Sequence, residues 1–314
     1  MAAAACDQGV QHDQVPYGPP IHVVDANIGA TQPLAVDDPI QISFDRYLNP
    51  LTVTRQAFAL RDAFNQAPVN PTVAYDPVRR VVTLSNPSEG KPWLIVGQPY
   101  KVIISAPASP DDLALRSIDG SGLTKTVVLG FFAAPARGRP KDPVMSFCRD
   151  VFPILESCNQ CHFPAEAGGK PWAGLDLFTE SGIERTAKNR VSQATNTGAR
   201  STGAPPGPIF GIDMPIIDPG NPGNSFLIYK LLLRAPEERS TTCITAPQVV
   251  PNWDVATLPR DDDEADNLAN VIPGRAMPPF TAKDPRAVSD AQLERLRLWI
   301  QQGATVESCA ACTP

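Results

Sequence analysis

The sequence predicts two domains, an all-β sandwich followed by a mostly α domain with long loops. Three observations carry that expectation. The chain has 314 residues, against roughly 150 per domain for ordinary globular proteins. From about residue 20 to 134 apolar residues alternate with polar ones, the period of a half-buried strand; after residue 144 they recur three and four apart, the period of an amphipathic helix. Between the two regimes lies 135–143, Pro-Ala-Arg-Gly-Arg-Pro-Lys-Asp-Pro. Its prolines and glycine forbid a continuing helix and its charges keep it solvated.

In chain order, residues 1–19 are polar and proline-containing, and read as a tether. In 20–134, Ile40, Ile42 and Phe44 alternate with Gln41 and Ser43. Val73-Ala74-Tyr75 and Val81-Val82-Thr83-Leu84 flank the turn-forming pair Asp76-Pro77. Tyr100, Val102 and Ile104 alternate again, and Val127-Val128-Leu129 with Phe131-Phe132 make a last strand. Short strands separated by Pro, Asn and Gly point to a sandwich. In 144–314, Val144, Phe147, Val151 and Leu155 form the stripe of a helix that Pro153 should kink or end. Ser225–Leu233 reads as a second short helix. The last helix is the clearest. Ser289 and Gln292 form a capping box, Leu293, Leu296, Trp299 and Ile300 its apolar face, and Gly303 its end. The segment 235–272 lacks a helical period and reads as an insertion, its run Asp261-Asp262-Asp263-Glu264 as a solvated loop.

Composition narrows the class. The net charge of −6 gives no reason to expect nucleic acid as partner. No apolar run approaches the ~18–20 residues that span a bilayer; the longest helical one, Phe226–Leu233, is interrupted by Lys230. The 35 prolines argue for short strands and short connections rather than long helices.

The chemistry lies at 158–162, Cys-Asn-Gln-Cys-His. C-x-x-C-H is the attachment signature of a c-type haem: Cys158 and Cys161 would form thioethers to the haem vinyls, and His162 would lie under the iron as proximal ligand. With only seven Cys and three His in the chain, the spacing is specific. A thioredoxin-like C-x-x-C pair should lie beside a βαβ pattern, which is absent here, and a zinc site would need further ligands. His22 is isolated and reads as a surface or edge residue.

Two family resemblances follow. The first half resembles the bacterial Ig-like domains of exported surface proteins, through Pro39-Ile40-Gln41-Ile42-Ser43-Phe44, Leu48-Asn49-Pro50-Leu51-Thr52-Val53, Val73-Ala74-Tyr75-Asp76 and Gly97-Gln98-Pro99-Tyr100-Lys101-Val102. The second half resembles the class I cytochrome c domain in its bacterial, long-loop variety. Three stretches carry that likeness: Asp150–Leu155 before the Cys-x-x-Cys-His, Pro219-Gly220-Asn221-Pro222 leading to Ser225–Leu231, and Met277-Pro278-Pro279 before the helix ending Trp299–Ala304. The resemblance implies that Met277, held by Pro278, is the distal iron ligand, and that the terminal helix crosses the helix before the haem motif. Elimination among the residues supports Met277. His12 and His22 lie in or near the β half, Met1 is terminal and Met145 precedes the haem motif. Met214 before Pro-Ile-Ile, or an iron open on its distal side, remains an alternative. His162 and Met277 are 115 positions apart, more than in a compact cytochrome c.

Covalent haem of this kind belongs to the exported side of a membrane. The chain opens Met-Ala-Ala-Ala-Ala-Cys6 without a charged n-region, which suggests a trimmed or replaced export signal. Small residues before Cys6 resemble the end of a bacterial lipoprotein signal, which would lipidate Cys6 and attach the chain to a membrane; an ordinary Ala-rich start is the alternative. In an oxidising compartment Cys148, Cys243, Cys309 and Cys312 should form two disulfides, in one of three connectivities. The expectation is an electron carrier rather than an enzyme, with one covalent haem c, in the periplasm or on the cell surface of a Gram-negative bacterium. Its partners would be redox proteins of a membrane respiratory or extracellular complex. The rivals are a haem enzyme or gas sensor with an open distal site, and a structural or adhesive surface protein whose haem is not redox-active.

Overall fold

The computed structural model describes residues 18–88, 93–109, 112–138, 141–158, 161–162, 171–192, 210–211, 213–233, 262–272, 274, 276–277 and 288–309. The strands are β1 (Val23–Ala26), β2 (Leu34–Ala35), β3 (Ile40–Phe44), β4 (Phe58–Asp62), β5 (Pro68–Val69), β6 (Thr72–Asp76), β7 (Val81–Ser85), β8 (Pro99–Ile104) and β9 (Val127–Ala134). They form two sheets, one ordered β1-β3-β7-β6 and the other β2-β9-β8-β4-β5. All pairings are antiparallel except β2 with β9. The helices are α1 (Phe152–Leu155), α2 (Glu180–Thr186), α3 (Phe226–Leu232), α4 (Asp262–Val271) and α5 (Asp290–Gln301).

The period-two stretches became strands because each buries one face. Ile40, Ile42 and Phe44 of β3 and Val82 and Leu84 of β7 meet Phe58, Val102, Ile104 and Phe131 of the other sheet in one core. Phe44 and Phe58 touch edge to face at 6.1 Å between centroids, a favoured aromatic geometry. The opposite face of β3, with Gln41 and Ser43, is buried as well, at 2% and 0% exposure. A sandwich standing alone would leave that face to water. Here the second half of the chain covers it.

That cover overturns the expected separation into an all-β sandwich and a mostly α domain. The molecule is a mixed, sheet-rich body, and among the described residues no separate helical domain stands beside the sheets. The longest helix described in 144–314, α5, has 12 residues, and α1 has only four. Tyr47 and Ile118 of the first half belong to the core of the second, beside Phe147, Tyr229 and Trp299. Gly223 lies so close to β6 that a Cβ there would stand 2.6 Å from the Tyr75 carbonyl oxygen, so the contact needs a glycine. Buried ion pairs then cross the joint. Arg46 meets Asp119 at 2.6 Å and Glu264 of α4 at 3.0 Å. Arg79 meets Glu294 of α5 at 3.2 Å, and Arg297 meets Asp76 at 3.1 Å and Glu294 at 2.6 Å. Two independent domains would have left these charges at their surfaces.

Two local expectations need the same correction. The stretch before Cys158 is not a uniform α-helix. A wide π-helical turn spans Phe147–Val151, α1 follows, and a 3-10 turn closes it over Glu156–Cys158. Pro153 has no N–H for the ladder, which favours an irregular hydrogen-bond register. Val144 is 80% exposed and outside the stripe, whereas Phe147, Val151 and Leu155 are buried. Residues 262–264 of the acidic run do not form a loop either: 262–271 is helical, and Glu264 is drawn inward by Arg46 and by the Tyr47 N–H at 2.7 Å. The last helix forms as its sequence indicates, with the Ser289–Gln292 capping box and Gly303 at φ +100° past its end.

Cys148 and Cys309 are joined in a disulfide; Cys243 and Cys312, like Cys6, lie outside the described residues. The bond ties the chain beyond α5 to the helical stretch before Cys158. Replacing Cys148 and Cys309 together by Ser should lower stability by about 2–5 kcal/mol, because the loop closed is long; urea unfolding of the two proteins measures it. Asp76 supplies a second test. Burial, opposed by Arg297, pushes its carboxyl up from the usual range to about 6. A folded-state pKa above the unfolded one stabilises the fold below the unfolded value, and the benefit is lost as pH rises through 6. Wild type should therefore lose stability relative to Asp76→Asn between pH 5 and 7, measured as the difference of their urea unfolding free energies; a constant difference contradicts the assignment.

Candidate functional site

The Cys158–His162 segment continues directly from the helical stretch. The Cys158 carbonyl accepts from the Cys161 N–H at 3.2 Å and from the His162 N–H at 2.9 Å. These are bonds of a single helical turn. Residues at i, i+3 and i+4 share one face of such a turn, so Cys158, Cys161 and His162 are brought together by local backbone bonding. Two backbone bonds hold the turn to the next segment: Trp172 N–H to Cys161 C=O at 3.0 Å, and Leu177 N–H to His162 C=O at 3.1 Å.

The imidazole of His162 is buried at 8% exposure. Its Nδ1 lies 3.1 Å from the Trp172 carbonyl and 3.2 Å from that of Leu175. Carbonyls only accept, so Nδ1 carries the proton and donates to them. Burial lowers the ring's pKa despite those two bonds, so the neutral ring holds near neutral pH. The lone pair is thereby placed on Nε2, the atom a neutral imidazole offers to a metal when Nδ1 is engaged by a backbone carbonyl. The acceptors are main-chain atoms, reached by the fold of 171–175, and no side chain in the sequence announces them.

Cys158 and Cys161 are not joined to each other in a disulfide. Burial pushes the Cys158 thiol up to about 11, so it is protonated at neutral pH. That is unlike a C-x-x-C redox pair, whose reactive thiol is held low. Two cysteines not joined to each other and a neutral imidazole whose Nδ1 is engaged form a donor set that would suit covalent haem c.

Met277 is partly buried against the same core that Cys158 contacts, and its N–H donates to the Lys230 carbonyl of α3 at 3.3 Å. Pro278 lies outside the described residues. Met214, the competing thioether, is 6% exposed within that core. His22 is exposed and pairs with Asp45 at 2.7 Å, and His12 lies outside the described residues. Glu264 is engaged by Arg46, and among the described residues no three His, Cys, Asp or Glu side chains converge to hold a metal ion.

No protein-family model and no curated protein matches this chain. Solved structures that it resembles include the N-terminal part of the bacterial S-layer protein SbsC, at 15% identity over 41% of this chain and 25% of that one, with a TM-score of 0.27. Domains 1–6 of the surface layer protein SbsC match at 15% identity over 41% and 16%, and the S-layer protein rSbsC at 14% over 41% and 16%, both with a TM-score of 0.27. The chain spans a quarter or less of the length of those proteins.

The Cys158 thiol is partly buried against the core. In haem-free native protein at pH 8, iodoacetamide should modify Cys158 about a hundredfold more slowly than in urea, since a thiol near 11 carries that much less thiolate than an unperturbed one at 9.0. Mass spectrometry of timed digests reads the rate.

Proposed function

We propose that this chain is an exported electron-transfer protein carrying one covalent haem c on Cys158 and Cys161, with His162 as proximal and Met277 as distal ligand. The single observation that carries the reading is the His162 ring. Its Nδ1 proton is committed to two backbone carbonyls, so Nε2 is left as the donor, close in sequence to Cys158 and Cys161, which are not joined to each other. The sequence likeness to class I cytochromes c at the haem motif and at Met277-Pro278-Pro279 supports it, without that family's separate helical domain.

When bound, the haem supplies one-electron chemistry at its iron. The residues of the chain do the rest. Cys158 and Cys161 hold the group covalently. The Trp172 and Leu175 carbonyls fix the imidazole's tautomer and plane and raise its basicity as a donor. Phe147, Leu155 and Trp299 belong to an apolar core that keeps water from this side of the site. A His/Met ligand pair raises the reduction potential relative to other ligand sets, which suits a carrier in an oxidising compartment. The partners under this reading are redox proteins of a membrane or extracellular complex, and the chain resides in the periplasm or at the cell surface.

Protein matured in a host that attaches haem c should exceed the polypeptide mass by one haem and keep it on denaturation. The ferric form should show the weak red charge-transfer band of thioether ligation, and the ferrous form should resist carbon monoxide. Met277→Ala should lose the band, admit carbon monoxide and shift the potential downward, because a soft thioether favours ferrous iron. Haem extracted by acidic organic solvent sinks the attachment; a high-spin wild type that binds carbon monoxide readily returns the distal site to the enzyme or sensor reading.

A further inference from the structure

Four large apolar side chains stand exposed at one end of the β2-β9-β8-β4-β5 sheet. Phe64, in the turn after β4, is 77% exposed; Ile95 and Val96 before β8 and Phe132 near the end of β9 are each more than half exposed. Backbone bonds bring their segments together. The Ala63 N–H donates to the Pro99 carbonyl at 3.0 Å, the Gly97 N–H to that of Ala133 at 2.8 Å, and the Ala133 N–H to that of Gln98 at 3.0 Å. A single exposed apolar residue is ordinary, but a group of them bordered by polar residues marks a contact surface.

The next row of the sheet carries two cations. Arg61 of β4 lies directly opposite Lys101 of β8, and Phe132 of β9 lies opposite Pro99. Leu60, Val102 and Phe131 take the core face, and successive side chains alternate between faces, so Arg61, Lys101 and Phe132 share the outer one. Like charges directly opposite each other are unfavourable, and no acid among the described residues offsets these two: Arg61 donates to the Gln66 carbonyl at 3.1 Å, and Lys101 has no ion pair. The stretches 55–66, 95–104 and 124–134 hold four cations, Arg55, Arg61, Lys101 and Lys125, and one acid. That acid, Asp62, is buried, where it accepts from the Phe64 and Asn65 N–H groups and the Gln98 amide. In a chain of net charge −6 this sheet is locally positive, which complements an anionic surface.

We propose that this end of the sheet docks on an anionic lipid bilayer, with Phe64, Ile95, Val96 and Phe132 entering the interface and Arg61 and Lys101 meeting lipid phosphates. The spacing suits that surface. The Arg61–Lys101 row lies two residues from the Pro99–Phe132 row, about 7 Å at the rise of a strand. Apolar groups seated in a bilayer interface enter it by ~5–10 Å, a depth that leaves the two cations at the level of the headgroups. A second copy of this chain is disfavoured as occupant, because two-fold pairing through this face would bring four cations together. An acidic protein answers the cations but gives the four apolar side chains nothing to enter. The inference is independent of the haem reading and survives its failure.

Cosedimentation of the full chain with vesicles tests it, in a Cys6→Ser background so that no lipid on Cys6 contributes. The protein should bind vesicles of mixed phosphatidylglycerol and phosphatidylcholine, not phosphatidylcholine alone, and bind less as salt rises. Arg61→Ser with Lys101→Ser should weaken binding at least about tenfold, at roughly fivefold per cation. Phe64→Ser with Ile95→Ser should also weaken it at least about tenfold. Arg55→Ser with Lys125→Ser makes the same change in net charge beyond the other end of the strands, about 17 Å from the apolar row, and should weaken binding less than about threefold. Phe64→Trp should shift its emission to the blue on anionic vesicles, and decides the matter if a double variant fails to fold. The proposal is overturned if anionic vesicles are not bound, if neutral vesicles are bound as well, if the Arg55 and Lys125 pair matters as much as Arg61 and Lys101, or if soluble poly-glutamate binds and vesicles do not.

Discussion

The joint made by Arg297 holds the rest of the structure in place. This guanidinium is 1% exposed and sits between Asp76, at the end of β6, and Glu294, one turn earlier on α5. Arg79, at the β6–β7 turn, reaches the same Glu294. Four charges are thus fixed in one dry place, and none is tolerable there without the others. Removing one partner of such a set typically costs about 3–5 kcal/mol, because an uncompensated charge stays buried. The joint therefore selects one orientation of α5 on the sheet, whatever its net contribution to stability. Arg46, held between Asp119 and Glu264, does the same for α4.

The haem motif inherits its position from that joint. Once α5 is fixed, Trp299 packs on Phe147 with centroids 5.7 Å apart. Phe147 begins the helical stretch that ends at Cys158, and the disulfide from Cys148 to Cys309 closes the same stretch to the chain after α5. Under the proposed function, a turn that holds a rigid planar group needs a support that does not shift. The aromatic contact, the disulfide and the ion pairs supply that support from three directions.

What could be read in advance was local. The strands β3 and β8 follow from period-two patterns whose apolar members are now in the sandwich core, and β6, β7 and β9 from short apolar runs bounded by turn residues. α5 follows from Ser289, Gln292, Leu293, Leu296, Trp299 and Gly303. The thiol and imidazole spacing at 158–162 depends only on helical periodicity, and the backbone bonds from the Cys158 carbonyl realise it. What escaped was long-range. Glu264 looked like one member of an acidic run in a loop, because nothing beside it in sequence names Arg46, 218 positions away, as its partner. Gln41 and Ser43 looked like the wet face of a sandwich for the same reason.

The division has a physical cause. Side-chain periodicity, capping and the geometry of one turn are set by residues a few positions apart, so the sequence by itself determined the strands, the last helix and the Cys-x-x-Cys-His turn. Whether a polar face meets water or another element depends on which distant segment desolvates it. Only the tertiary structure decided that the two halves share a core and buried ion pairs, and that the His162 proton goes to the carbonyls of residues 172 and 175. Backbone acceptors carry no residue identity, and a buried charge is distinguished from an exposed one only by the partner that makes burial tolerable.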